Sequence, residues 1–199
     1  MQADLDVGTE LLVIAGEPVR DAVGALAVRA ASGDGEAFDA LLMATQRRVA
    51  ALAFRFLGSR EEARDATQEV YLRVYRSLKG FRPDQEFTGW LYRITTNVCR
   101  DHLKRRRSWL PLGEGSNEPA LVDDIEGRAV DTERGALLRR ALADLPPQER
   151  FALVLHDLEG RSTEEVARML GIRAVTVRSQ LCSARKRLRA LFEQARRKP

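Results

Sequence analysis

The chain has 199 residues, 44% hydrophobic and 31% charged, with a formal net charge of +4. That length suits one large domain or two small ones, and the composition is that of a folded globular protein with some solvated segments. Nothing approaches the ~18 apolar residues of a membrane helix, and the short run Leu11 to Ala15 follows Asp4, Asp6 and Glu10 rather than basic residues, so neither membrane insertion nor a secretory leader is expected and the expected location is cytoplasmic.

Residues 1–30 contain Gly8, Gly16, Pro18 and Gly24 without sustained periodicity and read as a mobile tail with room for a short helix. Ser32-Gly33-Asp34-Gly35 opens the first long helix. Its apolar stripe is Phe38, Leu41, Leu42, Val49, Leu52, Phe56 and Leu57, and Gly58 stands where a C-terminal cap is favoured. Ser59, three residues before Glu62, has capping-box spacing and opens a second helix. That helix puts Ala63, Ala66, Val70 and Val74 on one side and Asp65, Gln68, Glu69, Arg73 and Arg76 on the other. Lys79 to Asp84, with Gly80 and Pro83, interrupts the pattern. A third helix is predicted over about 87–106. Phe87, Leu91, Ile94 and Val98 form its apolar stripe, and Trp90, Arg93, Asn97, Arg100 and Lys104 share a second face.

Residues 110–132 hold Pro111, Gly113, Gly115, Ser116 and Pro119 and most of an acidic run, and are expected to be a flexible linker. Helical register resumes at Leu137, Leu138, Ala141, Leu142 and Leu145, and stops at Pro146-Pro147. Phe151, Val154, Leu155 and Leu158 carry the next helix to Gly160. Ser162, three residues before Glu165, caps a short helix containing Val166, Ala167, Met169 and Leu170. Gly171 turns the chain into a last helix, about 174–195, that buries Val177, Leu181, Leu188 and Leu191. No strand pattern occurs. The expected fold class is all-α: two small helical domains, 31–109 and 133–199, joined by the acidic linker.

The charge is segregated. Arg100 to Arg107 has five basic residues against Asp101, Arg173 to Lys198 has nine against Glu193, and Gly113 to Glu133 has seven acids against Arg128. Two basic blocks about an acidic connector suggest two polyanion contacts. The stronger signal is Ser162 to Leu191. A capped short helix, a glycine turn and a basic second helix make a helix-turn-helix, which aims Thr176, Arg178, Ser179, Gln180, Ser183 and Arg185 at bases and phosphates of a major groove. The weaker one is the cluster of Phe81, Phe87, Trp90 and Tyr92 beside Arg82 and Arg93. Aromatics near cations suit unstacked single-stranded bases, though aromatics at helical spacing are more often core. The face bearing Asp65, Gln68, Glu69 and Arg73 reads, on its spacing alone, as solvated surface.

Catalysis is not expected. There is no glycine-rich phosphate cradle and no carboxylate cluster on a rigid element, and Asp123-Asp124 lies in the linker. Cys99, Cys182, His102 and His156 are too few and too scattered for a disulfide framework or a zinc site, so no metal and no cofactor are expected. A regulator that only binds duplex DNA through its helix-turn-helix accounts for 133–199 and leaves 36–107 idle.

Asp65-Ala66-Thr67-Gln68-Glu69-Val70-Tyr71-Leu72-Arg73-Val74-Tyr75-Arg76 resembles the polymerase-binding helix of bacterial sigma factors. Phe81-Arg82 through Phe87-Thr88-Gly89-Trp90-Leu91-Tyr92-Arg93-Ile94-Thr95-Thr96-Asn97 is similar to their promoter-melting segment. Leu145-Pro146-Pro147-Gln148-Glu149-Arg150 and Gly171-Ile172 through Thr176-Val177-Arg178-Ser179 resemble their C-terminal helix-turn-helix domain. Two domains with a short linker match the extracytoplasmic-function group, over roughly residues 30–195. The resemblance implies that Asp65, Gln68, Glu69 and Arg73 dock on core RNA polymerase. It implies that Phe81, Arg82, Trp90, Arg93, Asn97, Arg100 and Lys104 hold the non-template strand of the minus-ten element of promoter DNA. It implies that the recognition helix reads the minus-thirty-five element, and that an anti-sigma factor exists. This chain has Val175, Gln180 and Ser183 where family members often carry glycine, arginine and arginine, and Ala66 where a larger apolar residue is common.

Overall fold

The computed structural model describes residues 17–109 and 133–197. These fold into helices α1 (Glu17–Ala31), α2 (Gly35–Leu57), α3 (Arg60–Ser77), α4 (Phe87–Trp109), α5 (Glu133–Ala143), α6 (Pro147–Leu153), α7 (Thr163–Leu170) and α8 (Ala174–Arg197). A 3-10 turn, Leu78–Gly80, follows α3, and a π-helical turn, Val154–Leu158, extends α6. Among the described residues there is no strand. The stretch expected to be a flexible linker, 110–132, lies outside them.

Local chemistry sets the helix ends. Asp34 caps α2, its Oδ1 accepting the Ala37 N–H at 3.0 Å, and Gly58 ends the helix at φ 77, donating to Phe54 O. Ser59 accepts the Glu62 N–H at the head of α3. Ser162 and Glu165 form a full capping box on α7, with side chain to backbone bonds of 3.2 and 2.8 Å. Each such cap satisfies backbone groups that the helix itself leaves unpaired.

Residues 17–31 depart from the expected tail. They form α1, which buries Val23, Ala27 and Ala30 against α2, α4 and the 3-10 turn. Alanine at the contact lets the helices approach closely but gives little hydrophobic contrast in the sequence. Arg29 ties off the turn into α2 by pairing with Asp34 at 2.6 Å.

The first helical group packs around Leu41, Val49, Leu52, Phe56, Val70, Val74, Leu91, Tyr92 and Val98. The second packs around Phe151, Val154, Leu155, Val166, Leu170, Val177, Leu181 and Ala184. The two cores are continuous. Phe56 of α2 meets Phe151 of α6 edge to face, with centroids 4.4 Å apart and planes at 88°. Helix α7 lies against α4, and α2 touches α5, α6 and the π turn.

Candidate nucleic-acid interface

Helices α7 and α8 form the expected helix-turn-helix. Gly171, at φ 67 and ψ 35, makes the turn, and its N–H donates to Ala167 O. A left-handed residue there favours glycine because a Cβ would be strained. Val166 and Leu170 of α7 bury against Val177 and Leu181 of α8 and fix the second helix on the first. Of the sequence-predicted reading residues, Arg178, Ser179 and Arg185 are exposed, and Thr176, Gln180 and Ser183 are half-buried. Arg178 has Glu164 at 4.0 Å. Gln180 Nε2 donates to Gln148 Oε1 at 3.4 Å, and Gln180 and Thr176 line a cleft shared with Arg100, Phe151 and Ile172. Arg178 and Gln180 therefore point to different sides of α8, as their spacing of two requires.

The α4 face is assembled in part. Trp90 is half-buried and rests on Phe81 and Phe87, with centroid distances of 5.4 and 5.6 Å. Phe81 is itself buried, so its ring supports Trp90 and is covered. Arg82 is exposed beside Asp84, and Arg93 and Lys104 are exposed. Asn97 and Arg100 are half-buried. Arg100 Nη2 donates to Leu170 O of α7 at 3.2 Å, across the boundary between the two groups.

The α3 residues split between two sides. Asp65 and Gln68 face solvent. Glu69, expected to be solvent-facing, turns toward α4, where it accepts from Arg73 at 2.5 Å and lies 3.0 Å from both Arg105 and His102. Burial alone would raise its carboxyl, but hydrogen bonds from Arg105, Arg73 and His102 hold it below the usual carboxylate value. Arg73 also reaches Asp101 at 3.0 Å. Gln68 stands instead beside Leu72 and Tyr75, which are 56% and 67% exposed. With Phe38, Leu42, Gln46, Thr67 and Tyr71 these three line a shallow, largely apolar groove. Leu72 and Tyr75 were missed from the sequence. Their signal is that they fall off the Ala63, Ala66, Val70, Val74 stripe.

Sequence reasoning also missed the polar contacts between the two groups. Arg150 sends Nη1 to Phe56 O at 2.8 Å and Nη2 to Ala143 O and Leu145 O at 2.5 and 3.1 Å. Burial pushes this guanidinium down to about 10, so it stays charged at neutral pH. Glu159, its side chain 5% exposed, accepts from Arg55 Nη1 and from Tyr92 Oη, each at 2.5 Å, with Arg48 Nε at 3.5 Å. Arg161, 2% exposed, donates through Nη1 to both carboxylate oxygens of Glu86 at 2.7 and 2.8 Å, reaches Glu165 at 3.1 Å, and stacks 5.2 Å above the Tyr92 ring centroid.

Among the described residues no cluster of three His, Cys, Asp or Glu side chains could hold a metal ion. No described helix is long and apolar enough to cross a membrane.

Both halves match family models of one class. Sigma-70 region 2 covers residues 41–108, and Sigma-70, region 4 covers residues 135–188. The ECF RNA polymerase sigma factor SigE of Mycolicibacterium smegmatis is 40% identical over 179 residues, which span 87% of this chain and 69% of that one. The RNA polymerase sigma-H factor of Pseudomonas aeruginosa is 35% identical over 184 residues, 85% of this chain and 95% of its own. In three dimensions the chain resembles CnrH in complex with the cytosolic domain of CnrY, with a TM-score of 0.65 and 28% identity over 87% of this chain and 98% of that one. It shares its fold with the sigma factor RpoE of Bartonella quintana, solved with the anti-sigma factor NepR, at a TM-score of 0.63 and 19% identity over 78% of this chain and 96% of that one. The chain belongs to the extracytoplasmic-function group of bacterial RNA polymerase sigma factors. Its function is that of an alternative sigma factor, which directs the initiation of transcription.

Proposed function

We propose that the two helical groups divide promoter recognition between them. Residues 31–109 carry the polymerase contact and the minus-ten contact, and residues 133–199 carry the minus-thirty-five contact. The observation that carries this reading is that one chain presents a helix-turn-helix with Arg178 and Ser179 exposed and, on a separate element, the α4 face with Trp90, Arg93 and Lys104. Duplex is read by the first, because an α-helix fits the major groove. Single strand is held by the second, where an aromatic ring beside cations stacks any base.

On α3 the polymerase contact centres on Asp65, Gln68, Leu72 and Tyr75. Glu69 and Arg73 position that helix on α4 through their ion cluster. The protein acts in the cytoplasm by binding, and the reaction chemistry belongs to the polymerase. An anti-sigma factor is its expected regulator, supported by the complexes in which CnrH and RpoE were solved. Transcription by core polymerase on a randomised promoter library, with and without this protein, tests the reading. Enrichment of a two-part promoter motif is the expected result, and no protein-dependent transcript would refute it.

A further inference from the structure

Helix α8 presents its exposed residues as one stripe. At about 100° per residue, Val175, Arg178, Ser179, Cys182, Lys186 and Arg189 fall within one arc of roughly 100°, and all of them are exposed. The opposite side holds Val177, Leu181 and Ala184, which are buried. Val175 and Ala184 differ by about half a turn, so Val175 points directly away from the core. It is 55% exposed and belongs neither to the core nor to the half-buried residues packed on it. Helix formation does not ask for it either, because a branched Cβ loses side-chain freedom in a helix. Single exposed apolar side chains are common on protein surfaces. This one stands in the first turn of the second helix of a helix-turn-helix, the turn whose residues meet base edges.

Its surroundings suit that contact. Arg178 and Ser179, one turn further on, flank it on the same face. No acid stands in the first turn of α8 to repel phosphate. A short side chain reaches a base only where the backbone comes close, and Ala174, Ser179 and Cys182 beside Val175 are all small enough to allow that approach. The isopropyl group offers neither donor nor acceptor. Set against the polar edge of guanine, adenine or cytosine it would leave base groups dehydrated and unpaired. In the major groove the C5-methyl of thymine is the apolar feature, and apolar side chains recognise it by contact.

We propose that Val175 is a specificity-determining residue of the recognition helix: its isopropyl group packs on the C5-methyl of a thymine in the minus-thirty-five element and disfavours other bases at that position. The proposal rests on the assignment of α8 to that element.

The test uses holoenzyme assembled from core polymerase and the full chain. Selection from promoters randomised upstream of a fixed minus-ten element gives the preferred duplex. Each thymine in it is then replaced singly by deoxyuridine, which lacks only the C5-methyl. Affinity should fall about fourfold at one thymine, the worth of one buried methyl group. That loss should persist as salt rises, because an apolar contact releases no counterions. Val175→Ala and Val175→Ser should bind the thymine and deoxyuridine duplexes alike at that position, and both should melt close to the parent because the side chain is exposed. A selected element without thymine, a methyl effect at no position, an effect that fades with salt, or one that both variants retain in full overturns the proposal. Failure to select any upstream element overturns the minus-thirty-five assignment itself, which keeps the two failures distinct.

Discussion

Asp157 holds Arg185 at two points, with Nε at 3.1 Å and Nη2 at 2.6 Å. The hydrogen bond from Arg185, against some desolvation and aided by His156, keeps the Asp157 carboxyl below its usual value. The π turn is thereby joined to the recognition helix through the guanidinium assigned to promoter DNA.

Asp157→Asn should free Arg185 for phosphate and tighten minus-thirty-five duplex binding by about twofold to fivefold at low salt, the range of a surface ion pair. The advantage should fade as salt rises. Because the folded carboxyl is depressed, the pair contributes fully above the ordinary carboxylate range and is lost only as pH falls through the lowered value. Fluorescence anisotropy across salt measures the affinity. An unchanged or weaker affinity would show that Asp157 orients Arg185 productively.

The two sides of α3 should respond differently to mutation. Gln68→Ala with Leu72→Ala should weaken core polymerase binding and leave thermal stability nearly unchanged, since both side chains are exposed. Glu69→Ala should cost about 0.5–1 kcal/mol by removing the carboxylate that Arg73, Arg105 and His102 share. That difference is present at neutral pH and disappears as pH drops through the lowered Glu69 value. Thermal melts at several pH values, with a core pull-down, separate the two effects.

Gly171→Ala should destabilise the helix-turn-helix by about 1–2 kcal/mol through its left-handed backbone alone. Nothing lies within 4 Å of the added Cβ. At a temperature where the variant is folded, minus-thirty-five binding should match that of the parent. Calorimetry and a binding isotherm check this, and a loss below about 0.3 kcal/mol, well under the left-handed penalty, would mean that the turn relaxes.

Asn97→Ala should spare duplex binding and slow promoter opening, because the ligand proposed for it exists only as a single strand. Arg189→Ala should lower duplex affinity evenly across sequences and reduce the salt slope by about one unit. Gln180→Arg should change which upstream sequence is preferred, a good base contact being worth about 1–3 kcal/mol. Permanganate footprinting of the holoenzyme and duplex titrations across salt read these outcomes. Normal opening by Asn97→Ala would remove that residue from the strand-binding set.

Features governed by nearest neighbours were legible in the sequence. Asp34, Gly58, Ser162 with Glu165, and Gly171 act within one helical turn, and each stands where its local pattern placed it. Helix α1 was hidden because Ala27 and Ala30 contribute contact without contrast. Glu69 was placed in solvent because nothing on α3 reveals that Arg105 and His102 of α4 lie across from it. The resemblance put Phe81 among the strand-holding residues, while packing with Phe87 and Trp90 covers its ring. Glu159 and Arg161 flank a turn glycine, where charge ordinarily means hydration. Their partners Arg55, Tyr92 and Glu86 are far away in sequence, and only the assembled cores bring them together.

The π turn sets the rotational phase between α6 and the helix-turn-helix. Glu159 N–H donates to Val154 O at 3.0 Å, a five-residue step, so this turn holds one residue more than an ordinary α turn. The acids on either side of Leu158 consequently diverge, Asp157 toward α8 and Glu159 toward α2 and α4. Deleting one residue here would restore regular winding and rotate everything beyond by about 100°. The helix-turn-helix would remain intact within itself yet meet α4 with a different side. The relative angle of the two halves is thus stored as a residue count between Arg150 and Glu159, which makes a one-residue indel there a change of docking geometry and leaves the fold of each half alone.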